Sequence, residues 1–313
     1  MFIRVNPWLI NIYSTHSDQY RTYKKGTGMK CFFTLFIIFV LSISSAFSQT
    51  FRFTAIPDEN TERLQKRFNK VAKYLSEQLN VNVKYVPVKS YSASVAAFKN
   101  DQVQLAWFGG LSGVKARRSV PGSVAIAQGE EDLQFVTYFI AHASTGVKLS
   151  KEFPAAIKGH TFTFGSKGST SGRLMPEFFI RQHFKKEPNK IFKRVGFSGD
   201  HSKTIALVQS GGYEIGALNF KVWENELKAG NIDTNKVRVI WKTPTYADYN
   251  WTIRGDVGRK FGEDFIQKVK DALINLSDRE VLDSFPRKRF IEADNSTYGA
   301  ILETAIIIGI IES

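Results

Sequence analysis

Three hydroxyl side chains in a row, Ser169, Thr170 and Ser171, stand between Gly168 and Gly172, preceded by Thr163-Phe164-Gly165-Ser166-Lys167. The aromatic and β-branched residues before them read as a strand, and Arg173-Leu174 after them as the start of a helix. The first amides of a helix have no carbonyl partner and lie at the positive end of its dipole, so such a turn favours an anion. Ordinary capping accounts for one hydroxyl. Three together point to a ligand with several acceptor oxygens. Two catalytic patterns do not fit the loop. A phosphate-binding Walker loop ends in Gly-Lys-Ser/Thr, which does not occur in this chain, and a nucleophile elbow has Ser at the centre of Gly-x-Ser-x-Gly, where Thr170 stands.

Other polar and aromatic residues fall where strands give way to helices. His201 follows Phe197-Ser198-Gly199-Asp200, Tyr91 opens the helix after the second strand, and Trp107-Phe108-Gly109-Gly110 closes the third. Taken singly, a histidine there is a surface or capping residue and an aromatic is core. Their shared place at the carboxyl ends of strands, where open α/β sheets bind ligands, makes them candidates. His201 has no HExxH partner, so no zinc site is expected. No metal set, cofactor motif or nucleophile–base pair is present, and no catalytic residues are assigned.

The elements that must hold these residues alternate strand and helix, the pattern of an α/β fold. Leu64, Phe68, Val71, Leu75 and Leu79 mark one helical face, with Asp58 and Asn60 as candidate caps. Two long segments without helical period, Leu133–His142 and Ala247–Arg254, flank a second strand–helix set. This outward-and-back course predicts two lobes joined by two extended crossings: residues 49–142 and 251–313 in lobe 1, and 143–250 in lobe 2. A last apolar helix, Tyr298–Ile311, is too short to span a bilayer and is expected to dock on a lobe.

Lys and Arg total 43 against 29 Asp and Glu, a net charge of +14. The basic residues are scattered, with no basic arm and no nucleic-acid motif, so a solvated basic surface is expected and nucleic acid is not a partner. Met29-Lys30, the apolar run from Cys31 to Leu41 and Ala46-Phe47-Ser48 follow the three-part pattern of a secretory signal. Cleavage after Ser48 is expected, with translation starting at Met29. The lone cysteine, Cys31, lies inside that signal, which leaves neither a disulfide framework nor a thiol nucleophile in the processed chain. Export without a lipid anchor favours the periplasm.

Ile56-Pro57-Asp58-Glu59-Asn60, Tyr85-Val86-Pro87-Val88 with Tyr91, Leu105-Ala106-Trp107-Phe108-Gly109-Gly110, Gly168-Ser169-Thr170-Ser171-Gly172 and Phe197-Ser198-Gly199-Asp200-His201 occur in this order. Together they resemble the phosphate/phosphite/phosphonate-binding family of ABC-transporter periplasmic proteins, and most nearly its selenate-binding branch. The resemblance implies a type II, Venus-flytrap binding protein that is not an enzyme. It would be a monomer that passes a small tetrahedral oxyanion to an ABC permease and its ATPase. It also implies that Ser169, Thr170 and Ser171 hold the oxyanion, with donors added by Tyr91 and His201. Asn219 stands where aminophosphonate binders carry a carboxylate, which argues against an aminoalkyl ligand. Asp248 matches, loosely, an acid near the second crossing. If it lines the cleft, an ionised carboxylate requires a protonated oxygen on the ligand, favouring phosphite or phosphonate over sulfate or selenate. The alternatives are an enzyme acting on phosphate esters and the sensing lobe of a signalling receptor.

Overall fold

The computed structural model describes residues 49–312, so the expected signal segment lies outside the described residues. The chain opens with β1 (Phe51–Ala55), α1 (Thr61–Leu79), β2 (Val83–Tyr85), α2 (Tyr91–Lys99), β3 (Leu105–Phe108), α3 (Gly110–Ser119) and β4 (Val124–Gly129). It then builds β5 (Thr137–His142), β6 (Thr161–Phe164), α4 (Met175–Phe184), β7 (Arg194–Phe197), α5 (His201–Gln209), β8 (Ile215–Asn219), α6 (Phe220–Lys228) and β9 (Val237–Lys242). Finally come β10 (Asn250–Ile253), α7 (Gly258–Phe261), α8 (Phe265–Ile274), α9 (Arg279–Ser284), β11 (Phe290–Glu292) and α10 (Gly299–Ile307).

Two sheets result, one per lobe. Lobe 1 has the order β11-β4-β10-β3-β1-β2, and lobe 2 has β7-β6-β8-β5-β9. In lobe 1, β1 pairs parallel with β2 and β3, while β10 runs antiparallel between β3 and β4. In lobe 2, β6 pairs parallel with β7 and β8, while β5 runs antiparallel between β8 and β9. In each sheet the strand laid down just after the chain crosses from the other lobe is antiparallel to its neighbours, and in lobe 1 β11 also runs antiparallel, at the edge beside β4. The α1 face foreseen from its spacing is the buried one: Leu64, Phe68, Val71, Leu75 and Leu79 face the sheet. In that core Phe68 stacks on Tyr85, and Phe53, Trp107 and Trp251 meet them or one another edge to face or tilted.

The crossings are shorter than the sequence implies. Leu133–His142 divides into the end of a 3-10 turn (Glu130–Gln134), two extended residues and strand β5. Thr137–His142 thus belongs to the lobe 2 sheet, and the boundary expected after residue 142 moves back to about Phe135. Both faces of β5 are covered, so its residues show no alternation that would mark them as a strand. Asn250, expected at the end of lobe 2, begins β10 in the lobe 1 sheet. The two crossings meet as a single antiparallel bridge, Phe135 N–H to the Tyr246 carbonyl (2.9 Å) and Tyr246 N–H to the Phe135 carbonyl (3.0 Å). Strand β4 lacks alternation for the same reason. Helices α7 and α8 are separated at Gly262, whose φ of 106° leaves the helical region. Asp58 is not the cap of α1; the Asn60 side chain accepts the Arg63 amide.

One buried ion pair fixes the hinge. Arg287 donates from Nε and Nη2 to the two oxygens of Asp132 at 2.9 and 2.8 Å, both side chains being almost wholly inaccessible. The Asp132 carbonyl in turn accepts the Asp248 amide at 3.0 Å. The first crossing, the second crossing and the C-terminal segment are thereby tied together at one point. Removing one member of a buried pair leaves an uncompensated charge. Arg287→Met should therefore destabilise the protein by about 3–5 kcal/mol, and adding Asp132→Leu should recover much of that loss; denaturant unfolding of both variants measures it.

Candidate functional site

The site is built where the carboxyl ends of both parallel sheet sections face each other. After β6, Thr170–Leu174 forms a π turn that runs into α4, a distortion often found at functional sites. The Ser169 hydroxyl caps it by accepting the Gly172 amide at 2.9 Å, so one of the three hydroxyls does serve the bland capping role. The amides of Thr170 and Ser171 come first in the turn, with no carbonyl of a preceding turn to bond. A Cβ on Gly172 would lie 3.1 Å from both the Gly165 Cα and the His201 ring, and one on Gly168 would lie 2.9 Å from the Tyr91 Cβ. These two glycines let His201 and Tyr91 close directly on the turn.

His201 opens α5 and is fully buried. Its Nδ1 accepts the Asn219 amide at 3.3 Å, which assigns the ring proton to Nε2. That Nε2 has no partner within the protein. Burial pushes the pKa down to about 3, so the imidazole is a neutral donor at physiological pH. Tyr91 is 2% exposed. Its hydroxyl faces Ser169 but completes no well-formed hydrogen bond, and burial together with Asp58 holds its pKa well above the usual value. It too is a neutral donor.

Two carboxylates face these donors. Asp248 follows the second crossing, and its Oδ1 accepts the Gly110 amide, the first of α3, at 2.8 Å. The adjacent Leu111 amide bonds the Thr170 hydroxyl across the lobe boundary at 3.0 Å. The Asp248 Oδ2 is buried and unpartnered. Burial lifts its pKa to about 7, against the lowering effect of hydrogen bonds from Gly110 and Thr170. Asp58, at the end of β1, accepts the Tyr249 hydroxyl on Oδ2 at 2.7 Å, and its Oδ1 is likewise buried without a partner. Burial, and then the charge of Glu59, raise its pKa to about 6. Its backbone carbonyl accepts the His201 amide at 2.9 Å, a direct bond between lobes.

The remaining candidates line or orient the site. Gly109 sits at the lobe contact, where a Cβ would be 3.1 Å from the Asp248 Oδ1 and 3.3 Å from the Thr170 Oγ1. Trp107 stacks on Tyr249 with ring centroids 5.4 Å apart and forms a wall. Asn219 caps α6 with its carbonyl oxygen and donates its amide to the Tyr249 hydroxyl at 2.9 Å. Its carbonyl oxygen and one of its two amide N–H groups are therefore committed to the cap and to the Tyr249–Asp58 chain. Asp58 and Tyr249, which the sequence reading did not name among the site candidates, stand beside them in the structure. The signal for Asp58 was its place at the carboxyl end of β1, shared with the other candidates.

This architecture defines a two-lobed substrate-binding protein that closes over a small polar ligand. The chain belongs to the periplasmic substrate-binding proteins of phosphonate ABC transporters: the family described as "ABC transporter, phosphonate, periplasmic substrate-binding protein" matches residues 53–298. It is 43% identical over 282 residues, 85% of this chain and 93% of its relative, to the "Probable ABC transporter phosphite binding protein PhnD1" of Prochlorococcus marinus (strain MIT 9301). The solved structure of that PhnD1 in complex with methylphosphonate superposes with a TM-score of 0.80 at 42% identity, covering 84% of this chain and all of the other. A phosphonate transporter binding component from Pseudomonas aeruginosa shares the fold, with a TM-score of 0.73 at 20% identity over 83% of this chain and 86% of the other. The chain is thus the substrate-binding component of an ABC importer of the phosphonate class, and the relatives are binding proteins of transporters. Among the described residues no group of three or more His, Cys, Asp or Glu could hold a metal ion.

The raised pKa of Asp248 gives the site a stability signature. The folded protein holds a proton on Asp248 from the ordinary carboxylate value of 3.8 up to about 7. The contribution of this group to stability is therefore fully present below that window and is lost as the pH rises through it. Asp248→Asn should flatten this dependence between pH 4 and 7 and raise the ligand-free melting temperature at pH 8 by roughly 2–4 °C, as followed by circular dichroism across the pH range.

Proposed function

We propose that the protein captures a singly protonated tetrahedral oxyanion of the phosphite and methylphosphonate class. One observation carries this reading: two neutral donors (Tyr91 hydroxyl and His201 Nε2) and two carboxylate oxygens (Asp58 Oδ1 and Asp248 Oδ2) are buried together without protein partners. Buried polar atoms are rarely left unpaired, so the four call for a ligand offering acceptors to one pair and a proton to the other. A phosphite or phosphonate monoanion has both. Sulfate and selenate carry no proton near neutral pH, so whichever of Asp58 and Asp248 is ionised would face an acceptor oxygen with no hydrogen between them, an unfavourable contact that a P–OH group avoids. The Thr170 and Ser171 amides add donors at the positive end of α4, while Ser169 and Gly109 shape the turn and the lobe contact. Binding without turnover is supported by the relatives, which are binding proteins of transporters. The protein acts as a monomer that presents its closed form to the permease.

Calorimetry with phosphite, methylphosphonate, phosphate, sulfate and selenate tests the ligand class. Phosphite or methylphosphonate should bind most tightly, and tightest binding of sulfate or selenate would overturn the reading. Tyr91→Phe and His201→Ala should each weaken methylphosphonate binding by roughly 10- to 100-fold. Affinity should fall by about tenfold per pH unit once the ligand proton is lost at alkaline pH.

The segment before the described residues is read as an export signal cleaved after Ser48. Intact-mass measurement of protein from a periplasmic extract should then find a chain beginning at Gln49, and a retained upstream segment would refute the cleavage.

A further inference from the structure

Beside the ligand site, four side chains of alternating charge run from one lobe into the other. In lobe 1, Arg67 Nη2 lies 2.6 Å from Glu59 Oε1, and Glu59 Oε2 lies 2.9 Å from Arg63 Nη1. The same Arg63 Nη1 reaches Glu226 Oε1 on helix α6 of lobe 2 at 3.2 Å. Arg67 is also anchored on the Ser284 carbonyl of lobe 1. Glu226 is held from its own lobe by Asn231 Nδ2 on Oε2 at 2.6 Å and by the Ser202 hydroxyl on Oε1 at 3.2 Å. The Glu59 and Glu226 side chains are 3% and 9% exposed, whereas Arg63 is 37% exposed.

Two features make this more than a surface pair. Each half is preassembled within its own lobe, so within this ladder opening the cleft breaks only the contact between Arg63 and Glu226. The lobe 1 half, Arg67–Glu59–Arg63, then carries one uncompensated positive charge and Glu226 one negative charge, which attract the lobes back together. The ladder is also in step with the ligand site: Glu59 directly follows Asp58, and Ser202 directly follows His201. The His201 amide bonds the Asp58 carbonyl at 2.9 Å, so the movement that joins these two ligand-facing residues also brings Arg63 to Glu226.

We propose that the Arg63–Glu226 pair is an affinity-determining latch, which holds the lobes closed without touching the ligand. This rests on the binding reading above. A contact made only in the closed form shifts the open–closed balance, and apparent affinity scales with the fraction closed. The partial exposure of Arg63 limits the effect through screening by water and salt.

Titration of methylphosphonate and phosphite into the purified protein provides the test. Arg63→Met and Glu226→Gln should each weaken binding by about three- to tenfold, mainly through faster release, and the double variant should be no weaker than the worse single. Raising salt should weaken the wild type more than either variant. Arg279→Met, which removes an exposed pair with Asp283 inside one helix, should bind as the wild type does. Unchanged affinity in both latch variants, or losses that simply add, would overturn the latch. If the wild type binds neither anion, the ligand reading fails instead. Small-angle scattering then decides the latch: both variants should be more expanded than the wild type, and equal radii of gyration would reject it.

Discussion

A carboxylate sealed from water with no cation against it is among the costlier things a protein can bury. Asp248 is such a group. One of its oxygens rests on the first amide of helix α3, and the other is buried without a partner in the protein. Much of the surrounding structure serves that placement. The Arg287–Asp132 pair holds the crossing on which Asp248 rides, and Gly109 leaves room for its oxygen. Burial raises its pKa to about 7, so near neutral pH it takes both its ionised, accepting form and its protonated, donating form.

The opposing face is neutral by construction. His201 is kept uncharged by burial and by the amide that occupies its Nδ1, and Tyr91 keeps its hydroxyl proton. The candidate donors His201 and Tyr91 are thus hydrogen-bond donors without formal charge, close to the amides that open the turn before α4. Such a site discriminates by matching donors to acceptors. A strongly cationic site would attract any anion, including those of higher charge. Enclosure by two lobes sharpens the discrimination because no water remains to satisfy a mismatched oxygen.

Closure is a property of the lobe boundary as a whole. Leu111 to Thr170, His201 to Asp58 and Arg63 to Glu226 all bridge it. The apolar side chains of Leu111, Leu174, Met175, Ile301 and Ala305 form a further cluster in which α3, the turn before α4 and the C-terminal helix meet. The C-terminal helix, which its sequence marks only as apolar and short, thereby packs against parts of both lobes.

The amino-acid sequence determined the α/β class, the two-lobed course of the chain and the anion-favouring turn at Ser169–Ser171. Helical periodicity and the unpaired amides of a helix start are local properties, written into a few neighbouring residues. It also marked Tyr91, His201 and Gly109 through their position at strand ends. Tertiary structure decided the rest. Strands β4 and β5 are covered on both faces and show no alternation, so only the assembled sheets reveal them and move the lobe boundary to about Phe135. Asp58 and Asn219 exchanged their expected roles, the first becoming a buried acceptor and the second a brace for Tyr249. Whether a carboxylate is a cap, a ligand contact or a solvated charge depends on what surrounds it, and residues as distant in the chain as Asp58 and Tyr249 meet only in the folded protein.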